Sequence, residues 1–477
     1  MRKNSWRGFC ACFLLLCAGF SSGRSLSAQT APAASAGAAD RAARQAAEKA
    51  AALADHQQMM DQLGIQTLRP AASHDMKSPN HVNYDEAKAN PYPKLPDPLR
   101  LNNGEPVKTA DQWWKQRRPE IVEAFDREVV GRVPANAPKV RWELLSQSEA
   151  TLGGVAVVEK HLAGHIDNSA YPVLAPTIDL VVGLPKAATK PVPLVLELAF
   201  SPEVLAAIAH SLPEMIPGGP GNEGPSWQEQ VIKRGWGYAV MLPTSFQDDS
   251  GDGLRSGVIG LVNKGQPRHP DDWGTIRAWA WGASRVFDYF ETDKGIDTKH
   301  VAIEGHSRFG KTALTTMAYD QRFSVAFISS AGTGGDKLYR HVMGEQLENL
   351  TSAPTFYYWM AGNFLKYGGP LTTGDLPVDA HELIALCAPR PVFISVGSDT
   401  AGDAWADPVG EWRGAVNAGP VYRLLGKKDL GTTTMPPMEQ GLLTGDLAFR
   451  QHRFGHTPGP NWPTFLDFAS RYVEAAK

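Results

Sequence analysis

Residues 301–314 read Val-Ala-Ile-Glu-Gly-His-Ser-Arg-Phe-Gly-Lys-Thr-Ala-Leu. An apolar run, a glycine-bounded segment and helix-favouring residues follow one another, so the pattern predicts a buried strand, a sharp turn and a helix. Ser307 occupies the apex between Gly305 and Gly310. A serine hydroxyl is a useful nucleophile only where such a turn projects it and a base can reach it. The second glycine lies three residues after Ser307 rather than two, so the usual GxSxG pattern is only partly met.

The same letters also satisfy the phosphate-binding pattern GxxxxGK[ST], from Gly305 through Gly310 to Lys311 and Thr312. Against a nucleotide site, the turn follows several predicted strands instead of opening a nucleotide-binding unit. A later strand that leads to Asp399 could still supply a magnesium-binding acid, so the pattern alone leaves this alternative open. A turn with a purely structural role is a further alternative.

The predicted secondary structure changes type near residue 199. Before it, apolar segments separated by glycine- and proline-containing turns predict consecutive strands, and after it short apolar runs alternate with helical patterns. Residues 273–291 form one such helical pattern, with an apolar stripe on a single face. We therefore predict an α/β protein, a three-layer sandwich with a mostly parallel mixed sheet and helices on both faces. The stripe consists of Ile276, Trp279, Ala280, Ala283, Phe287 and Phe290.

Partners for the serine are available in the order serine, acid, histidine, which is the order found in α/β-hydrolases. His456 lies in a loop just before an amphipathic C-terminal segment. The acid should follow the strand predicted at 391–396, where three aspartates occur and spacing does not choose among them. Each of the three could instead be a turn or cap residue. They are Asp399, Asp403 and Asp407.

His452 lies four residues before His456, a spacing that on a helix could hold a metal ion. Gly455 and Pro458 argue against a helix, and the sequence offers no matching acid or cysteine cluster. We therefore predict that His452 lies at the surface or behind the catalytic residues. No metal ion or other cofactor is expected.

The N-terminus has the pattern of a secretory signal. Basic residues precede an apolar run and a small-residue cleavage region, so residues 1–28 are predicted to be removed. Residues 29–75 are rich in alanine and predict a linker or frayed helix, and residues 76–477 are assigned to the catalytic domain. Cys387 would be the only thiol left after cleavage, which excludes an intramolecular disulfide. We expect a secreted or periplasmic protein without a stable membrane anchor.

Charge limits the class of partner. Loss of residues 1–28 would remove four basic residues and no acid, which shifts the formal net charge from −3 to −7. Such a surface does not favour nucleic acid. An anionic substrate would therefore need arginine or lysine within the site. A monomer is expected.

Five segments carry a resemblance to a known family. They are 84–93 (Tyr-Asp-Glu-Ala-Lys-Ala-Asn-Pro-Tyr-Pro), 113–122 (Trp-Trp-Lys-Gln-Arg-Arg-Pro-Glu-Ile-Val), 305–311, 405–408 (Trp-Ala-Asp-Pro) and the loop of Gly455 and His456. Together they resemble the glucuronoyl esterases among the carbohydrate esterases, particularly the bacterial members, from about Asn83 to the C-terminus. The resemblance implies an α/β-hydrolase without metal or organic cofactor. It also implies a substrate ester between glucuronic acid of glucuronoxylan and lignin alcohols.

The resemblance assigns roles residue by residue. Ser307 becomes the nucleophile, His456 the general base and Arg308 the side chain that helps hold the oxyanion. Three further positions resemble residues that contact the sugar, with a helix-face lysine, a solvated glutamate and a core tryptophan as their structural alternatives. They are Lys311, Glu345 and Trp405.

One departure from the family concerns the acid. Many members, the fungal ones especially, carry it as a glutamate soon after the strand that follows the nucleophile helix, whereas residues 329–332 here read Ser-Ser-Ala-Gly. By similarity to bacterial relatives, Asp403 should take the role, and without it the triad would lack an acid. Fungal members also place a cysteine beside the serine, where this chain has His306.

Alternative functions use the same residues. A broader carboxylesterase or a deacetylase of plant polysaccharide would need the same triad. The missing glutamate gives some weight to a carbohydrate-binding protein without catalysis on a hydrolase scaffold. The nucleotide-binding alternative rests on the GxxxxGK[ST] match alone.

Overall fold

The computed structural model describes residues 33–353 and 355–473. The predicted signal peptide and its cleavage site lie outside those residues. Within the described chain, nine strands form one sheet. They are β1 Val140–Leu152, β2 Val155–Ile166, β3 Thr177–Pro185, β4 Val192–Leu198, β5 Gly237–Leu242, β6 Ile296–His306, β7 Val325–Ser329, β8 Val392–Val396 and β9 Leu447–Gln451.

The sheet has the strand order β1-β2-β3-β5-β4-β6-β7-β8-β9. β1, β2, β3 and β5 pair antiparallel in succession. From β5 through β4 to β9, every neighbouring pair is parallel. The predicted mixed and mostly parallel sheet is therefore confirmed. The carboxyl end of β6, from which the Ser307 turn leaves, lies in the interior of the parallel part, where α/β sheets bind their ligands.

The α-helices of the described chain differ widely in length. They are α1 Ala33–Leu63, α2 Ala110–Gln112, α3 Arg118–Glu128, α4 Pro202–Ile208, α5 Trp227–Lys233, α6 Gly253–Ser256, α7 Val258–Val262, α8 Thr275–Phe290, α9 Arg308–Tyr319, α10 Ala380–Ala385, α11 Pro408–Leu424 and α12 Trp462–Val473. A π-helical stretch, Trp113–Arg117, joins α2 to α3. In the part of the chain with assigned structure, none of these helices has the length and apolarity needed to cross a bilayer.

Side chains alternate between the two sheet faces, as a pleated strand requires. In β4, Leu194 and Leu196 belong to one apolar layer, and Val195 belongs to the other. The layer of Val195 also contains residues of α5 and α12, whereas the larger layer contains residues of α8, α9, α10 and α11. The predicted helices on both faces are confirmed. The predicted stripe of α8 is buried at all six positions.

The end of α1 packs on the body of the protein. Residues 29–75 are predicted to be a linker or frayed helix, and α1 spans Ala33–Leu63 of them. Met59 is 1% exposed, and the Tyr357 hydroxyl donates to the Ala52 carbonyl oxygen at 2.7 Å. His56 Nε2 lies 2.9 Å from the carbonyl oxygen of Thr351. One buried side chain and a few hydrogen bonds hold this alanine-rich helix against the rest of the protein. The average composition of the segment does not reveal these contacts.

Arg69, which follows α1 in the chain, also contacts the body of the protein. Its guanidinium donates to the carbonyl oxygens of Gly369 and Leu371, each at 2.9 Å, and it forms an ion pair with Glu348 at 2.9 Å. Asn349 donates to the carbonyl oxygen of Ala72 at 3.2 Å. Residues 69–72 therefore brace residues 348–371.

Met59→Ala should lower the free energy of unfolding by about 2–5 kcal/mol, because truncation of a buried methionine leaves a cavity. In the structure, the Met59 side chain lies directly over Gly362. Equilibrium denaturation in urea, followed by tryptophan fluorescence, measures the change. Leu53→Ala is the matched control, since Leu53 is 43% exposed on the same helix. Equal losses for the two variants would contradict the docking of α1.

Candidate active site

The Ser307 turn has a strained backbone. Ser307 joins β6 to α9 with φ 59° and ψ −127°. A positive φ at a residue other than glycine costs of order 1–3 kcal/mol and persists where surrounding contacts hold it. Here the Ser307 N–H donates to the Ser329 carbonyl oxygen at 2.8 Å, and the Lys311 N–H donates to the Ser307 carbonyl oxygen at 3.1 Å. The neighbouring strand β7 and the first turn of α9 therefore hold the serine at the apex.

The two flanking glycines are required by close backbone approach. A Cβ atom on Gly305 would overlap the carbonyl oxygen of Phe309, and one on Gly310 would lie 2.9 Å from the Ser329 carbonyl oxygen and 3.0 Å from the Ala331 Cβ. The second glycine is thus needed where α9 passes closest to the end of β7. This packing accounts for its place three residues after the serine rather than two.

His456 and Asp403 form a hydrogen-bonded pair. His456 Nδ1 lies 2.7 Å from Asp403 Oδ1. Asp403 is fully buried, and its Oδ2 accepts from the Gly397 N–H and from the Ser330 hydroxyl, each at 2.6 Å. Burial acts to raise the pKa of Asp403, but His456 and these donors outweigh it and lower the pKa below its ordinary value. Asp403 therefore carries a negative charge next to the imidazole.

The other two candidate aspartates lie elsewhere. Asp399 is exposed. Asp407 caps α11, where it accepts from the Gly410 N–H at 2.9 Å, and it lies 2.6 Å from His341 Nδ1. The geometry thus separates three aspartates that spacing alone did not.

The His456 imidazole lies beside the serine turn. Its ring centroid is 4.3 Å from that of His306, the residue that precedes Ser307. His306 Nδ1 is 3.0 Å from Ser329 Oγ. Burial, with His456 and His452 adding to it, lowers the pKa of His306 well below its ordinary value, so its imidazole is neutral. The C-terminal loop and the Ser307 turn therefore meet at one place.

His452 is a buried structural residue, which corrects the surface part of its prediction. It is fully buried. Its Nε2 lies 2.9 Å from the Thr457 carbonyl oxygen, and its Nδ1 accepts from the Phe454 N–H at 3.2 Å. Burial lowers its pKa to about 4. A neutral His452 therefore braces the loop that carries His456.

Arg308 is held by an acid that the sequence did not reveal. It donates to a carboxylate oxygen of Asp249, whose other oxygen accepts from the Trp359 indole at 2.7 Å and from the Tyr358 hydroxyl at 3.1 Å. The guanidinium also lies 5.2 Å from the centroid of the Trp359 ring. Burial acts to lower the pKa of Arg308, but Asp249 outweighs it and raises the pKa. A charged Arg308 is thus fixed one residue after the serine.

The three positions assigned to sugar contact lie together. Lys311 donates to Glu345 Oε2 at 2.8 Å and to the Ala331 carbonyl oxygen at 2.5 Å. The Glu345 N–H donates to the Trp405 carbonyl oxygen at 2.8 Å. The Trp405 ring lies 4.2 Å from the ring of His74. Lys311 and Glu345 are therefore a buried ion pair rather than a helix-face lysine and a solvated glutamate.

The contacts of Lys311 and Thr312 do not fit a phosphate site. A phosphate-binding lysine and threonine must be available to the ligand and its magnesium ion, whereas Lys311 is paired with Glu345 and the Thr312 hydroxyl donates to the Arg308 carbonyl oxygen at 3.0 Å. Among the residues with described side chains, no group of three or more His, Cys, Asp or Glu is placed to hold a metal ion.

The site thus combines a serine on a strained turn, an imidazole bonded to a buried carboxylate, and two fixed cations. Its place at the carboxyl end of a central parallel strand, in a mixed sheet covered on both faces, defines an α/β-hydrolase.

Comparison with known proteins agrees with this class. A family model described as "Glucuronyl esterase, fungi" matches residues 268–426, which include Ser307 and Asp403 and end before His456. A CE15 glucuronoyl esterase from Teredinibacter turnerae has a similar structure, with a TM-score of 0.81 and 43% identity, over 88% of this chain and 99% of that chain.

Two curated proteins extend the comparison. A carbohydrate esterase from an unknown prokaryotic organism is 32% identical over 422 residues, which cover 83% of this chain and 93% of that protein. The 4-O-methyl-glucuronoyl methylesterase 1 of Phanerochaete chrysosporium is 28% identical over 343 residues, which cover 70% of this chain and 63% of that protein. The chain belongs to the glucuronoyl esterase family and is a carboxylic ester hydrolase.

Asp403→Asn should lower the free energy of unfolding at pH 7 by about 2–3 kcal/mol, because it weakens charge-assisted hydrogen bonds in a buried site. The pKa of Asp403 is lowered from 3.8. Its ionised form therefore contributes stability above that pH, and the contribution is lost as the pH falls through the folded-state pKa. Urea denaturation of both proteins between pH 7 and pH 3 should show the difference shrinking in acid. Asp399→Asn is the control. If it lowered the free energy of unfolding as much as Asp403→Asn does, the special contribution of the buried Asp403 carboxylate would be contradicted.

Proposed function

We propose that this protein is a serine esterase that hydrolyses the ester between (4-O-methyl-)glucuronic acid of glucuronoxylan and lignin alcohols. The observation that carries the proposal is the Asp403–His456 pair beside the Ser307 turn. Similar proteins are known as a glucuronoyl esterase and a 4-O-methyl-glucuronoyl methylesterase, which supports the substrate class.

The proposed reaction is a two-step acyl transfer. Because His456 Nδ1 is hydrogen-bonded to Asp403, Nε2 is the ring nitrogen that remains to accept the Ser307 proton. Ser307 Oγ then attacks the uronate carbonyl carbon, the carbon–oxygen bond to the alcohol breaks, and His456 returns the proton to the leaving alkoxide. Water, activated by His456, cleaves the acyl-enzyme ester, which releases the uronic acid and restores the serine.

Arg308 and the N–H groups at the start of α9 are proposed to stabilise the tetrahedral oxyanion. The start of a helix presents unpaired N–H groups and a partial positive charge. Arg308 is already fixed by Asp249 and stacked near Trp359, so little reorganisation is needed when the negative charge forms.

Sugar recognition is proposed for Lys311, Glu345 and Trp405. A buried Lys–Glu pair offers both a donor and acceptors to sugar hydroxyls, and an indole offers an apolar face to a sugar ring. Lys311 lies 5.5 Å from the centroid of the Trp359 ring. We further propose that the protein is exported by the signal in residues 1–28.

A panel of esters tests the substrate class. Purified protein is assayed with methyl glucuronate, methyl galacturonate and acetylated xylan. We expect kcat/KM for the glucuronate ester to exceed that for the galacturonate ester by at least about tenfold, since buried polar groups matched to one hydroxyl configuration reject its epimer. Equal rates on all three substrates, or faster deacetylation of xylan, would favour the broader esterase instead.

Ser307→Ala should abolish turnover of methyl glucuronate, with a loss of about 10⁶-fold in kcat as in other serine hydrolases. The circular dichroism spectrum should stay unchanged. Ser470→Ala is the control, because the Ser470 hydroxyl donates to the Leu466 carbonyl oxygen within α12, on a different element. A serine-directed phosphonate should label wild type at Ser307. Unchanged turnover in Ser307→Ala would refute the assignment of Ser307 as the nucleophile.

Arg308→Gln should lower kcat by about 10²–10³-fold with a smaller change in KM, because an oxyanion donor acts mainly in the transition state. Steady-state kinetics on methyl glucuronate measure both constants. Arg322→Gln is the matched control, since Arg322 is also ion-paired, with Asp320 at 2.7 Å, but lies after the far end of α9. An increase in KM alone would instead assign Arg308 to ground-state binding.

A further inference from the structure

Two buried carboxyl groups lie behind the proposed site and have no part in the reaction derived above. Asp336 follows β7 and Glu411 lies on α11, and both are fully buried. The Glu411 carboxyl lies close enough to Asp336 for each group to shift the pKa of the other. Within residues 33–353 and 355–473, Asp336 Oδ1, Asp336 Oδ2 and Glu411 Oε2 are buried and accept no hydrogen bond from an N–H or hydroxyl group.

A hydrogen bond between two carboxyl groups requires a proton on one of them. Burial raises the pKa of Asp336 to about 7, and burial together with repulsion by Asp336 raises the pKa of Glu411 well above its ordinary value. The charged groups that face the pair are Lys311, which favours ionisation, and Asp403 and Asp407, which oppose it. At neutral pH the two carboxyl groups therefore retain at least one proton between them.

Glu411 is also tied to the segment Ser330–Gly332. Its Oε1 accepts from the Gly332 N–H at 2.9 Å. Ser330 has φ 43° and Gly332 has φ 60°, and a left-handed serine costs free energy unless neighbouring contacts hold it. The bond from Gly332 to Glu411 is one such contact.

The same segment supports two groups of the proposed site. The Ser330 hydroxyl donates to Asp403 at 2.6 Å, and the Ala331 carbonyl oxygen accepts from Lys311 at 2.5 Å. A shift of the segment would loosen the carboxylate that orients His456 and the lysine assigned to sugar contact.

We propose that Asp336 and Glu411 are positioning residues: they share a proton, and the hydrogen-bonded pair fixes Ser330–Gly332 in the geometry that supports Asp403 and Lys311. This inference rests on the proposed function for its consequence in catalysis. The shared proton itself can be tested without turnover.

Substitutions at Glu411 separate positioning from bulk stability. Glu411→Gln keeps an oxygen that accepts from Gly332 and supplies an N–H donor to an ionised Asp336, so kcat on methyl glucuronate should stay within about twofold of wild type. Glu411→Ala removes both bonds, and kcat should fall by about 10- to 100-fold, as expected when catalytic groups are displaced by about 1 Å. Because Lys311 is released too, KM should rise. Rescue by glutamine is the signature of positioning.

Proton release on unfolding tests the shared proton directly, in the Ser307→Ala background. A pKa raised in the folded state contributes stability that is fully present below the ordinary values of 3.8 and 4.5. That stability is lost as the pH rises through about 7. Urea denaturation between pH 5 and pH 7 should therefore show about one proton less released by Glu411→Gln than by its parent.

Glu197→Gln is the matched control. Glu197 on β4 is paired in register with Glu304 on β6, and burial raises its pKa to about 7. Its substitution should also reduce proton release but should leave kcat unchanged, because β6 lies between β4 and β7, the strand that leads into Ser330–Gly332.

Three results would overturn the proposal: unchanged kcat in Glu411→Ala, a loss in Glu411→Gln as large as in Glu411→Ala, or equal proton release from Glu411→Gln and its parent. If Glu411→Ala does not fold, kcat and proton release of Glu411→Gln still test whether Asp336 and Glu411 share a proton. A Ser307→Ala protein that hydrolysed uronate esters would refute the proposed function but would leave the proton measurement standing.

Discussion

Close approach between the start of α9 and the ends of β6 and β7 determines the geometry of the whole site. Two glycines permit that approach, and the Ser307 N–H bond to the Ser329 carbonyl oxygen holds it. The first turn of α9 then begins at a fixed height above the sheet. Ser307 immediately precedes α9, and Arg308 and Lys311 lie in its first turn. A single backbone constraint therefore positions the three residues that we propose as nucleophile, oxyanion contact and sugar contact.

The surroundings of Ser330 are compatible with the proposal that Asp403 is the acid of the triad. Many relatives are expected to carry a glutamate there, but in this chain the buried carboxylate of Asp403 accepts a hydrogen bond from the Ser330 hydroxyl. A glutamate at position 330 would place a second carboxylate against Asp403, and one of the two would have to take up a proton. A short hydroxyl side chain is a donor instead, so Ser330 suits an aspartate that comes from the loop after β8. The departure from the family pattern is thus chemically consistent with Asp403.

Local patterns predicted the elements well and long-range contacts poorly. The glycine-bounded strand, turn and helix around Ser307, and the apolar stripe of α8, are encoded by neighbouring residues and were predicted. Spacing could not separate Asp403 from its two neighbours, because side-chain direction in a Gly- and Pro-containing loop depends on tertiary packing. Asp249 gave no signal, since its contact with Arg308 spans 59 residues. Met59 was missed because one buried side chain hardly changes the composition of an alanine-rich helix.

Both cations in the site are paired with carboxylates, Arg308 with Asp249 and Lys311 with Glu345. In the proposed reaction, the ester carries no charge at the reacting carbonyl, whereas the released uronic acid is an anion. A lone cation would bind the product more strongly than the ester and would slow its release. A paired cation still offers directed N–H donors to the carbonyl oxygen and to sugar hydroxyls, but its net field on the product carboxylate is small. Such pairing therefore limits how strongly the product anion is held, while the fixed N–H donors remain available to the developing oxyanion in the proposed reaction.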